Sequence, residues 1–235
     1  MNEKLLDEFA GRLTSALGGN LVSVVLYGSA VTGDFREKVS DLNILCVLKQ
    51  LGLAELEAAD PPVDWWMKKK QPAPVLLSLE EVTNAHDAFA IEFLDIRAAY
   101  RVLHGSDVIA TIEVDPAHHR YQVEHELRSR LLRLRERYLA LQNDRRAVVE
   151  LMVDSLPTFA TLFRHALALS GGIAPVKKRE IFQEAASRFG VSKSPFDTLL
   201  DVREGTRRLQ DSEIRSVFAE YLQQISRTVE YVDRL

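Results

Sequence analysis

The side chains best suited to chemistry lie in one short stretch, LYGSAVTGDFREKVSDLN, at residues 26–43. Gly28 and Ser29 follow an apolar run with the composition of a strand, and eleven residues separate Ser29 from Asp41. A strand that turns into a helix offers backbone N–H groups to an anion. Glycine lets the backbone approach a phosphate closely, and the serine hydroxyl adds a hydrogen-bond donor. The stretch therefore predicts a phosphate-binding turn at Gly28 and Ser29.

A cation site is predicted beside this turn. Asp41 and Asn43 begin the segment DLNILCVL, and in a strand their side chains point to the same side because side chains alternate. Asp41 could hold a hard cation such as Mg²⁺ near the phosphate. Asn43 can coordinate the ion through its side-chain oxygen, but it brings no negative charge. A further carboxylate is available at Glu92 or Asp95; if AIEFLDI is a strand, these two lie on opposite faces and at most one reaches the site.

The overall composition is that of an ordinary globular protein, because 46% of the 235 residues are hydrophobic and 27% are charged. The single cysteine, Cys46, lies in an apolar run, which excludes a disulfide framework and favours a buried, unreactive thiol. The first residues include acidic side chains where a signal peptide has basic ones, and no segment reaches the roughly eighteen apolar residues of a membrane helix. These features predict a cytoplasmic protein with no membrane partner.

Charge divides the chain into two parts. Residues 1–115 hold 10 Lys and Arg against 18 Asp and Glu, a net charge of −8, whereas residues 116–235 hold 20 against 16, a net charge of +4. The apolar pattern changes at the same place, from alternating helical and extended segments to helical segments alone. We therefore predict two domains, 1–115 and 116–235.

The first domain has the pattern of an α/β (α+β) fold with a mixed sheet of about four or five strands. Apolar and β-branched segments predict the strands, and the candidates are 21–27, 41–48, 73–79 and 90–96.

Helices are expected between these strands. The first should end at Gly18-Gly19, and a short one should fill 29–38. Ser-x-x-Glu from Ser78 is a capping box that should start another. A longer helical segment at 51–70 is expected to break at its two adjacent prolines.

The second domain is predicted to be an all-α helical bundle. One apolar stripe repeats at spacings of four and three residues, as on one face of a helix, and its members are Leu127, Leu131, Leu134, Tyr138 and Leu141. Further helices are expected at 145–170, 175–189 and 211–234, and Pro157 is expected to kink or split the first of these.

The motif GS-x(11)-DLN after an apolar strand resembles the signature of the nucleotidyltransferase superfamily of the DNA polymerase β type. Its local form, GSAVTG…SDLN, is most similar to small bacterial nucleotidyltransferases, which include the aminoglycoside nucleotidyltransferases. The segment IEFLDIRAAYRVLHG, at 91–105, is similar to the part of such proteins that carries a third carboxylate, and by that match Glu92 takes its place. The resemblance covers about residues 20–105.

The resemblance implies a reaction and a role for each motif residue. Gly28 and Ser29 would bind the β- and γ-phosphates of a nucleoside triphosphate, with ATP favoured. Asp41, Asn43 and Glu92 would be the ligands of Mg²⁺ or Mn²⁺, and Asp41 and Glu92 would be the catalytic carboxylates. Glu92 would support the second metal and help to deprotonate the acceptor. The reaction would transfer a nucleoside monophosphate to a hydroxyl acceptor that the sequence does not specify.

Asn43 leaves a second reading open, because it stands where the family's pattern has a carboxylate. A degenerate member of the same fold would bind a nucleotide or a partner protein without catalysis, for example in an antitoxin-like role. The choice between Glu92 and Asp95 as the third carboxylate also stays open, and a homodimer is compatible with the sequence.

A nucleic-acid partner is not favoured. The one basic run beside aromatic residues is WWMKKK, at 65–70, and three lysines at the end of a helix are more often a solvated terminus that interacts well with the helix dipole.

Overall fold

The structure is a computed structural model that describes residues 3–31, 41–84, 88–172 and 174–235. By compactness the chain divides into two units, Met1–Asp115 and Pro116–Leu235. Within the described ranges, no helix combines the length and the apolar character needed to cross a membrane.

The first unit is a mixed sheet with helices, as the sequence predicts. Its elements in chain order are α1 (Glu3–Leu17), β1 (Leu21–Tyr27), β2 (Asn43–Leu48), α2 (Leu53–Lys68), β3 (Val75–Ser78), α3 (Leu79–Asn84), α4 (Ala90–Ala98) and β4 (Tyr100–Gly105). The strand order is β3-β2-β1-β4. β1 is antiparallel to both of its neighbours, whereas β3 runs parallel to β2.

Helices cover both faces of the sheet, and β2 shows this most clearly. Ile44 and Cys46 of β2 pack in one core with Phe9 of α1 and Trp66 of α2. The intervening Leu45 belongs to a second core on the other face, together with apolar residues of α4. Burial raises the pKa of the Cys46 thiol to about 12, which agrees with an unreactive cysteine.

Two sequence predictions about helices need correction, and the first concerns α2. This helix continues through Pro61 and Pro62, where we expected a break. Pro62 is buried, and the fully buried ring of Trp66 stacks on Phe9 with 4.3 Å between ring centroids. Because tertiary packing provides most of the stability of a protein helix, this apolar face holds α2 together without the hydrogen bonds that prolines cannot donate.

The second correction concerns AIEFLDI, which we expected as a strand and which forms the helix α4. Its buried residues include Phe93 and Ile96, whose spacing of three places them on one side of a helix. Short apolar runs fit a strand or a buried helix equally well, and periodicity alone does not separate them. The fourth strand of the sheet is instead β4, which follows one residue after α4.

The capping box at Ser78 is confirmed in the structure. The Ser78 hydroxyl oxygen accepts from the backbone N–H of Glu81 at 3.1 Å, and the Glu81 carboxylate accepts from the backbone N–H of Ser78 at 2.6 Å. The helix predicted at 29–38 falls largely on residues 32–40, which lie outside the described residues.

The second unit is helical throughout its described elements, as predicted. Its helices are α5 (Pro116–Leu141), α6 (Arg145–Leu169), α7 (Lys178–Phe189), α8 (Ser194–Arg203) and α9 (Ile214–Asp233). Leu127, Leu131 and Leu134 of the predicted stripe are buried. Pro157 lies inside α6 and does not split it, whereas α8 was not predicted from the sequence.

The end of β4 provides a test of the sheet. Gly105 has φ of +81°, and a Cβ there would lie 2.0 Å from the carbonyl oxygen of Val22 on β1. We expect Gly105→Ala to lower the free energy of unfolding by about 3 kcal/mol, because left-handed strain and a backbone clash add together.

Gly18→Ala is the matched control, since Gly18 also has positive φ, +53°, but no atom within 4 Å of the added Cβ. When both variants are unfolded in urea, Gly18→Ala should lose only about 1 kcal/mol of the free energy of unfolding. Equal losses in the two variants would show that the contact with Val22 does not constrain β4.

Candidate functional site

The end of β1 and the beginnings of β2 and β4 lie side by side in the sheet of the first unit. Tyr27, the last residue of β1, pairs with Asn43 at the start of β2 and with Tyr100 at the start of β4. Gly28 comes next, and its backbone N–H donates to the carbonyl oxygen of Ala99 at 2.8 Å. The predicted phosphate turn therefore begins where β2 and β4 also begin.

Gly28 has the conformation and the small size that would let a ligand approach the backbone closely, and the side chain of Asn43 lies next to it. Gly28 has φ of +80°, a conformation that favours glycine, and its carbonyl accepts from Val31 N at 2.9 Å to close a 3₁₀ turn. A Cβ on Gly28 would lie 3.4 Å from the side-chain nitrogen of Asn43. The amide of Asn43 thus lies beside the turn. The side chain of Ser29 lies outside the described residues.

Asp41 precedes β2 rather than belonging to it, since the strand begins two residues later than we expected. Its side chain is exposed, whereas that of Leu42 is only 2% exposed and packs in the same core as Ile44. The backbone N–H of Leu42 donates to the side-chain oxygen of Gln71 at 3.0 Å. Leu42 therefore fixes this segment on the core while Asp41 faces solvent.

The face of the sheet that Asn43 shares is the face covered by α4. Because side chains alternate along β2, Asn43 points to the side of Leu45 rather than that of Ile44. Leu45 packs in one core with Phe93 and Ile96 of α4. The helix that carries the predicted third carboxylate thus covers the same face of the sheet.

Glu92 and Asp95 lie on the same side of α4, which corrects the expectation that they face opposite ways. They are three residues apart, and residues at that spacing in a helix are neighbours. The side chain of Glu92 is exposed and that of Asp95 is half-buried. The helical geometry therefore does not exclude either carboxylate from the site.

The predicted metal ligands are oxygen donors, which is the chemistry that Mg²⁺ requires. In the described part of the chain, no three His, Cys, Asp or Glu side chains stand close enough together to hold a metal ion. As predicted ligands, Asp41 and Asn43 would supply one carboxylate and one amide oxygen. Mg²⁺ commonly binds proteins through one or two carboxylates plus substrate phosphates and keeps several waters, so a sparse protein ligand set of this kind fits it.

The basic run at 68–70 interacts with its own chain. Lys68 pairs with Asp64 at 2.6 Å, and the Lys69 amine lies 5.5 Å from the ring centroid of Trp65. The guanidinium of Arg12 lies over the same ring at 4.3 Å. The half-buried ring of Trp65, on which a base would have to stack, is therefore already in contact with cations of this protein.

A cavity of about 960 Å³ in the helical unit contains none of the predicted site residues. Arginines line it, but Arg145 pairs with Asp211, and Arg146 pairs with Glu150. These pairs neutralise much of its positive charge, and we assign no ligand to it.

The structure thus combines an α/β unit built on a mixed four-stranded sheet with a second unit whose described elements are all helices. The structure is similar to the crystal structure of spectinomycin adenyltransferase AAD(9) from Enterococcus faecialis with ATP and spectinomycin. The two have a TM-score of 0.60 and 11% sequence identity, over 95% of this chain and 99% of the other. No protein-family model matches the sequence, and no curated protein matches it. At this identity the likeness shows the fold.

Proposed function

We propose that this protein transfers a nucleoside monophosphate from a nucleoside triphosphate, with ATP favoured, to a hydroxyl acceptor. The observation that carries the proposal is that the Asn43 amide lies beside the Gly28 turn, where β2 begins and on the face of the sheet that α4 covers. Asp41 precedes Asn43 by two residues in the same segment. The likeness in fold to an adenyltransferase with ATP supports it.

In this proposal Gly28 has a steric and conformational role. Its own N–H is bonded to Ala99 and that of Val31 to the Gly28 carbonyl, so the backbone amides of Ser29 and Ala30 would be the ones offered to the phosphates. The absent side chain and the positive φ let the triphosphate approach the backbone. The Ser29 hydroxyl would add a further donor.

Asp41 and Asn43 would hold Mg²⁺ or Mn²⁺ against the phosphates. When bound, the cation neutralises charge on the triphosphate and on the leaving pyrophosphate. Asn43 contributes an oxygen to the ion or a hydrogen bond to the phosphate, and either use leaves the site with one negative charge fewer than a pair of carboxylates would give.

The reaction requires a base for the acceptor hydroxyl, and Glu92 is assigned this role. The acceptor oxygen forms a bond to the α-phosphorus, the bond from that phosphorus to the bridging oxygen breaks, and pyrophosphate leaves with the electron pair. The acceptor proton passes to the Glu92 carboxylate.

Transfer of label from [α-³²P]ATP to a panel of hydroxyl compounds, beginning with spectinomycin, tests this function. Glu92→Gln should lower the transfer rate about a hundredfold or more, because the amide cannot accept the proton. Asp95→Asn, on the same side of α4, is the matched control and should stay within about threefold of the wild type, since proton transfer then still has its base. A large loss of rate in Asp95→Asn with little loss in Glu92→Gln would show that Asp95 is the third carboxylate. If no hydroxyl compound becomes labelled, the proposed transfer reaction is contradicted.

A non-catalytic role is the second candidate, and Asn43 is the observation that favours it. If the natural site uses the Asn43 amide as a hydrogen-bond donor beside Gly28, Asn43→Asp should lower the transfer rate about tenfold or more. The reason is that a group that donates to the phosphate is replaced by a carboxylate that repels it. The measurement is kcat/KM for ATP, with Asn143→Asp as a control that changes the net charge at an exposed position. A large gain in transfer on Asn43→Asp would instead identify a site whose catalysis has been lost.

A further inference from the structure

One contact to the predicted metal-binding segment comes from a residue that no motif includes. The side-chain oxygen of Gln71 accepts a hydrogen bond from the backbone N–H of Leu42 at 3.0 Å. Leu42 stands between Asp41 and Asn43, the two residues proposed to hold the cation, and it precedes the first residue of β2. Gln71 therefore contacts the backbone from which both side chains project.

The position of Gln71 is itself well defined by the end of α2. Lys70, just before it, has a left-handed backbone with φ of +62°, and the N–H of Lys70 donates to the carbonyl of Met67 at 2.8 Å. Just after it, the carbonyl of Pro72 accepts from the indole N–H of Trp66 at 2.9 Å. Because the Trp66 ring is fully buried, the bond to Pro72 ties the segment that carries Gln71 to the core, while the bond from Lys70 ties it to the end of α2.

The hydrogen bond satisfies a donor that would otherwise be costly. Leu42 is 2% exposed, and a buried backbone N–H without a partner destabilises the conformation that buries it. Without the Gln71 oxygen the Leu42 amide loses its partner, and a movement of Leu42 toward water would restore one. Such a movement would carry Asp41 and Asn43 away from the turn at Gly28.

We propose that Gln71 is a positioning residue for the cation- and nucleotide-binding site, acting through the backbone of Leu42. The inference rests on the proposed function, because it assigns Gln71 to that same site. A residue that orients metal ligands in this way typically changes metal affinity about tenfold to a hundredfold when it is removed.

The other end of β2 has a comparable clamp, which provides a matched control. The side-chain oxygen of Asn20 accepts from the backbone N–H of Gln50 at 3.0 Å, and its side-chain nitrogen donates to the Gln50 carbonyl at 3.0 Å. Gln50 follows the end of β2 by two residues, far along the strand from Asn43. Asn20→Ala thus loosens β2 without touching the segment that holds Asp41.

The experiment measures two properties of the full chain. Hydrogen exchange reports protection of the Leu42 amide, and calorimetry reports the Kd of Mg·ATP. Gln71→Leu removes the acceptor with little change in size, whereas Gln71→Glu keeps an acceptor oxygen. We expect Gln71→Leu to lose protection at Leu42 and to weaken Mg·ATP binding about tenfold or more. Gln71→Glu should keep the protection without weakening the binding, and Asn20→Ala should bind Mg·ATP within about threefold of the wild type.

The outcomes separate this inference from the function on which it rests. If the wild type binds Mg·ATP and Gln71→Leu binds it equally well, the positioning role is wrong and the proposed function stands. If Asn20→Ala weakens binding as much as Gln71→Leu, the effect is a general loosening of β2, and the role is again wrong. If the wild type shows no metal-dependent binding of ATP, the proposed function fails and the positioning role fails with it.

Discussion

The burial of β2 on both faces is the constraint on which the site depends. Ile44 and Cys46 must enter the core under α1 and α2, and Leu45 must enter the core under α4. A shift of the register by one residue would exchange these faces and place Asn43 in the wrong layer. The same alternation that buries the strand therefore sets the side of the sheet on which its first residue, Asn43, stands beside the Gly28 turn.

The core strands and the turn were accessible to sequence reasoning because their signals are local. β1 has the predicted bounds, because a short segment rich in valine between two glycine-containing turns is typical of a strand. α4 was predicted as a strand because an apolar run of seven residues fits the periodicity of a strand and that of a helix equally well. Its contacts with the sheet decide between the two. The continuity of α2 was missed for the same reason. Its two prolines predict a break, and the packing of Trp66 on Phe9, which stabilises the helix, joins residues that are distant in sequence.

The supporting contacts of the candidate site could not be predicted, because they join residues distant in sequence. Gln71 and Leu42 are 29 residues apart, and nothing in the stretch around Gln71 marks it as an acceptor for that amide. The motif gave Gly28, Asp41 and Asn43, but the structure adds that the Gly28 N–H is already bonded to Ala99. In the proposed function Gly28 would therefore act through its small size and its backbone conformation, and not as a hydrogen-bond donor to the phosphate. The amide of Asn43 lies beside the turn, so in the proposed function it would donate a hydrogen bond to the phosphate, a role that does not require a negative charge.

The most direct test of metal-dependent nucleotide binding is thermal unfolding of the wild type and of Asp41→Ala with each of the four nucleoside triphosphates, with and without Mg²⁺ or Mn²⁺. A ligand at about 100 times its Kd stabilises the native state by roughly 2.7 kcal/mol, which a melting curve resolves. The proposed site predicts stabilisation by a nucleoside triphosphate that requires the metal and is absent in Asp41→Ala. Equal stabilisation of both proteins, or none with any nucleotide, would contradict it.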